Sequence, residues 1–112
     1  MDYTLTERTA ETPENAGLCI VMDDVSMEPY IMRGETVYID RRKTPAELEV
    51  GLFFYSGRAY IRQWCEDYSG AVHLLCINPK CEDMNIRIPK SGRGALLCLG
   101  SVISGRKPPS PL

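Results

Sequence analysis

No stretch of this chain approaches the roughly 20 consecutive apolar residues that a membrane-crossing helix requires. The longest apolar stretch, GALLCLGSVI, is far shorter, and the N-terminus lacks the basic-then-apolar pattern of a secretory leader. Clustered positive charge is also missing. The 13 Lys and Arg are interspersed among 15 Asp and Glu, a formal charge of -2. Without a basic stripe there is no electrostatic footprint for a phosphate backbone, so this segment is not expected to touch DNA itself. Histidine occurs once, and the five cysteines (Cys19, Cys65, Cys76, Cys81, Cys98) are odd in number with no C-x-x-C pair. That pattern predicts reduced thiols in a cytoplasmic protein rather than a disulfide framework. His73 with Cys76 and Cys81 matches no standard zinc spacing and lacks a fourth ligand, so no metal and no other cofactor are expected.

What is present points to one domain, since 112 residues are too few for two ordinary ones. Residues 1–15 are polar without a period and are expected to form a flexible arm or linker remnant, and 107–112 a disordered, proline-rich tail. Between them, over 16–106, short β-prone runs recur: GLCIVM, ETVYID, GLFFYSGRAYIRQW with Ser56-Gly57 as a hairpin turn, AVHLLCI, NIRI and ALLCLGSVI. Six or seven such runs predict a mostly β domain of coiled, mixed sheets with one or two short helical turns. The helical candidates are MEPYIM, where Pro29 suits a first helical position, and TPAELE, where Thr44 would cap and Pro45 follow.

The candidate nucleophile is Ser26 in DDVSMEPYI. A serine hydroxyl attacks only when a neighbouring base takes its proton. His73 sits mid-strand with no acidic residue obviously placed to orient it, so a Ser-His-Asp triad is not expected. The other solution is a buried neutral lysine. Here SMEP followed by RGETVYID resembles the signature of LexA-type peptidases and phage repressors, Ser-Met-x-Pro and then Gly-Asp-x-Val. The likeness continues in order through EVGLFFYSGRAYIRQW, LLCINPKCED and LCLGSVISGRK, and covers residues 17–106.

That resemblance implies the LexA and signal-peptidase fold of the S24 peptidases. It places Ser26 at the nucleophile position and the amides of Ser26 and Met27 where an oxyanion is held. Two positions depart from it. The family usually has Gly-Asp before the serine, where this chain has Asp24-Val25, and the general-base lysine is replaced by Arg62. Bringing a lysine from about 10.4 to near 7 costs roughly 4 to 5 kcal/mol, which burial is documented to supply. An arginine starting at about 12.5 to 13.8 would need roughly 8 to 9 kcal/mol, comparable to the whole stability of a small domain. The expectation is therefore a serine without a base, unless Lys43 or Lys80 reaches it from a polar loop.

The same family cuts its own chain at an Ala-Gly bond upstream of the serine. Ala16-Gly17 is such a dipeptide, but it lies directly at the first predicted strand and reads as that strand's beginning. Tyr60, Arg62 and Trp64 share a strand face by period two, with Tyr38 a candidate to join them; the face suits an interface, and Trp64 suits a core plug equally. RRK at 41–43 reads as a solvated loop. The expected function is thus the C-terminal regulatory and dimerisation domain of a helix-turn-helix repressor without self-cleavage. Its partners would be a second copy of itself and, only through a helix-turn-helix segment absent from this chain, DNA. The alternative is an active S24-type serine peptidase using Ser26 and a non-standard lysine. A membrane signal peptidase of the same fold would need an anchoring helix not seen here.

Overall fold

A computed structural model describes residues 4–5 and 12–111; the remainder of the expected arm, and Leu112 of the expected tail, lie outside the described residues. Among the described residues eight strands form one curled sheet: β1 (Thr4–Leu5), β2 (Leu18–Val21), β3 (Thr36–Asp40), β4 (Val50–Tyr55), β5 (Arg58–Glu66), β6 (Val72–Leu75), β7 (Ile86–Ile88) and β8 (Leu97–Ile103). Their spatial order is β1-β2-β3-β8-β4-β5-β6-β7. The expected mostly β architecture is present, and every described pairing is antiparallel rather than mixed.

The β4–β5 hairpin forms where Ser56-Gly57 stands between β-prone runs. Both turn residues take positive φ (49° and 79°), the twist that lets a two-residue loop join right-twisted strands. Both faces of β4 are buried. Val50 and Leu52 enter one core with Leu18, Ile20, Val37, Ile39 and Ile61, while Phe53 enters a second with Val72, Leu74 and Ile88. Trp64 stacks on Phe53 at 5.7 Å between ring centroids, so of its two expected roles the structure gives it core packing. Tyr38 does not join Tyr60, Arg62 and Trp64, because β8 and β4 separate its strand from β5.

Among the described residues the helices number two, as expected, but both lie outside the expected segments. Short 3₁₀ helices span Pro79–Met84 and Lys90–Ala95. Thr44-Pro45 and Asn78-Pro79 carry the same cap-then-proline pattern, and tertiary pairing decides between them. After Pro45 the chain is drawn to the edge of β5: Leu48 N donates to Trp64 O at 2.7 Å, Trp64 N donates to Glu49 O at 2.8 Å, and Leu48 takes a φ of 65° no helix allows. The long-range bonds of Asn78 use its two N–H groups, leaving its side-chain oxygen to accept from Lys80 N and cap the helix. MEPYIM closes a single turn, Ile31 N to Met27 O at 3.0 Å, and Pro29 lies inside it after a cis peptide bond.

Beyond β8 the tail expected to be disordered has hydrogen-bonded anchors within its described part. Gln63 Nε2 donates to Pro109 O at 2.7 Å, and Tyr30 OH donates to Arg106 O at 2.9 Å just before it.

Gly100 marks a slip in register between β8 and β4, where Leu52 faces Gly100 but Phe53 faces Cys98. Its φ is 149°, and a Cβ there would stand 2.5 Å from Asp40 O on β3. Only glycine permits this approach. Gly100→Ala is expected to lower stability by about 1–3 kcal/mol, read as a fall in the thermal midpoint. An unchanged midpoint would contradict the close approach.

Candidate active site

Ser26 lies in the loop between β2 and β3, and that loop is held firmly. Met22 N donates to Glu35 O at 2.9 Å and Gly34 N to Met22 O at 2.8 Å, closing its base. Met27, Tyr30 and Ile31 turn inward and join the first core, each burial contributing about 1.5–3 kcal/mol. Asn78, far along the chain, ties the serine from the other side. Its amide donates to Ser26 O at 3.0 Å, and its Nδ2 donates to Val25 O at 2.8 Å. The serine therefore has a fixed backbone before its side chain is considered.

Arg62 comes to it from the middle of β5. Its Nη1 donates to Ser26 Oγ at 3.0 Å and to Ile61 O at 2.9 Å, and the guanidinium lies over the Tyr60 ring at 5.3 Å. Both side chains are enclosed, with Ser26 0% and Arg62 2% exposed, and Arg62 Nε has no acceptor among the described residues. Ser26 Oγ in turn donates to Asp24 Oδ1 at 2.6 Å. The result is a directed chain, guanidinium to hydroxyl to carboxylate. Among the described residues no ion pair joins Arg62 to a carboxylate directly, so its charge meets Asp24 through the serine.

The structure thus brings Ser26 and Arg62 together. Of the two amides expected at an oxyanion position, that of Ser26 is already engaged, donating to Asp24 Oδ1 at 3.0 Å; Met27 follows it with its side chain fully buried. Lys43 and Lys80 are both exposed, and neither bonds to Ser26. Lys43 instead lines a cleft of about 290 Å³ with Asp40 and Glu49. A second cleft, about 320 Å³, opens beside the serine turn between Cys76, Asn78, Glu82 and the tail's Pro111. Burial pushes the Cys76 thiol up from its ordinary value, and the Arg62 charge works against that shift.

His73 does have an acidic partner, which corrects the sequence reading. Its Nε2 lies 2.8 Å from Asp67 Oδ2, a residue of the turn before β6. The serine of that cluster, Ser69, donates to Asp67 at 2.5 Å and not to the imidazole, so the acid stands in the middle and no base faces a hydroxyl. Two residues that matter at Ser26 escaped sequence reasoning. Asn78 was visible as half of an Asn-Pro break and Asp24 as a departure from the family's pattern, but neither role follows from local spacing.

A family model described as Peptidase S24-like matches residues 1–102. No curated protein matches the chain.

The Asp67 cluster yields a pH prediction. The Ser69 hydroxyl first, and then His73, hold the Asp67 carboxyl well below the usual carboxylate range. A lowered folded-state value gives stability that is present above the unfolded value, about 3.9, and is lost as pH falls towards the lowered one. Asp67→Asn is therefore expected to be less stable than the unchanged chain at pH 7, with the gap narrowing below about pH 4 in denaturant titrations. A gap that widened on acidification would have the wrong sign.

Proposed function

The chain belongs to the Peptidase S24-like family, and on that premise we propose that it is a regulatory and self-association domain in which the peptidase fold is kept and cleavage is lost. One observation carries this reading: the group 3.0 Å from Ser26 Oγ is a guanidinium. Guanidinium offers donors only, so the place of the family's lysine holds no acceptor for the serine proton, which points instead to Asp24 Oδ1. Arg62 holds the hydroxyl in place and cannot activate it. The alternative, an active S24-type peptidase with a substitute lysine, is disfavoured by the exposed positions of Lys43 and Lys80.

With chemistry silent, the domain's work is to pair. Two copies would set two helix-turn-helix segments, lying outside this chain, at the spacing of a two-fold operator in the cytoplasm. No cofactor or metal enters this scheme. Among the described residues no helix is long and apolar enough to cross a membrane.

Two measurements test it. Incubated at alkaline pH and followed by intact mass, the chain is expected to stay whole; a fragment that disappears in Ser26→Ala would overturn the idle-site reading. In sedimentation equilibrium at high micromolar concentration a dimer is expected, and a monomer would remove the assembly role.

A further inference from the structure

Arg62 answers for only one of the things acyl transfer asks of a serine. The hydroxyl needs a base, its proton must be free to move to that base, and the backbone amides beside it must be open to a developing oxyanion. We propose that Asp24 is a second lock on Ser26, acting on the last two independently of Arg62. The proposal rests on the idle-site reading above and goes beyond it.

A single oxygen does both jobs. Asp24 Oδ1 accepts the Ser26 hydroxyl proton at 2.6 Å and the Ser26 amide at 3.0 Å. The proton is thus aimed away from β5, where a base would stand. The amide is filled by a carboxylate, whose negative charge occupies the place an oxyanion would need and repels one. Aspartate reaches both groups from two residues upstream because its short side chain folds back on the backbone two residues on, a turn that a glycine at this position would leave open. Restoring a lysine at position 62 would supply an acceptor and leave this arrangement standing. Asp24 is accordingly a positioning residue, acting through the serine it holds.

The test uses the full chain and a small fluorophosphonate at alkaline pH, with labelling of Ser26 read by intact mass. In that reaction the serine oxygen bonds to phosphorus, the P–F bond breaks, fluoride leaves, and the hydroxyl proton passes to the introduced amine. The unchanged chain and Asp24→Ala are expected to be inert and Arg62→Lys slow. Arg62→Lys with Asp24→Ala is expected to react about tenfold to a hundredfold faster than Arg62→Lys, the loss of one charge-assisted hydrogen bond expressed as a rate. Arg62→Lys with Asp24→Asn, which keeps an acceptor oxygen but loses the charge, should react at a rate between the two. If the alanine form does not fold by circular dichroism, Asp24→Gly makes the same comparison. Equal rates for Arg62→Lys and the folded double variant, or silence of both, would overturn the second lock while leaving the idle-site reading in place. Labelling of the unchanged chain at Ser26 would sink that reading instead.

Discussion

The hydrogen bond from Arg62 to Ser26, made out of contact with water, is the interaction on which the functional interpretation depends. In solvent such a contact would be one of many exchangeable partners for a long side chain. Here both groups are enclosed, and a buried guanidinium must find acceptors or destabilise the fold. Ser26 Oγ and Ile61 O are the hydrogen-bond acceptors it has among the described residues, with the Tyr60 ring beneath it. The serine is therefore conscripted as a structural partner. Its hydroxyl completes a relay to Asp24 and lets a buried cation see a carboxylate without touching it.

The rest of the architecture serves to hold that relay still. β5 sits between β4 and β6, and Arg62 is paired with Gly51 of β4, so the backbone from which the guanidinium reaches Ser26 is fixed. The loop carrying Ser26 is plugged by Met27, Tyr30 and Ile31 and tied by Asn78. These are the supports a catalytic serine requires, and they persist around one whose β5 partner only donates. Preorganisation and activation are separable: the first is a matter of packing and backbone hydrogen bonds, the second of the proton affinity of a single group.

Much of the fold was legible beforehand. Short β-prone runs mark the strands, and Ser56-Gly57 marks the hairpin because a two-residue turn demands φ values that few residue pairs accept. The helical turn at Thr44-Pro45 was misplaced, since Thr44-Pro45 and Asn78-Pro79 are locally alike and a strand edge captured the first. His73 and Asp67 were missed as a pair because what sets His73 beside the Asp67 turn is the β5–β6 register, Cys65 opposite His73.

By itself, the sequence determined which chemical group stands at position 62, because the donor-only character of a guanidinium belongs to the side chain wherever it is placed. It also determined the recurring β-prone runs that make a β domain. Tertiary structure decided what that guanidinium meets, 36 residues away in the chain at Ser26, and which way the serine's proton points. Such choices arise from contacts between distant segments competing for a few buried donors and acceptors, and no local pattern encodes the outcome of that competition.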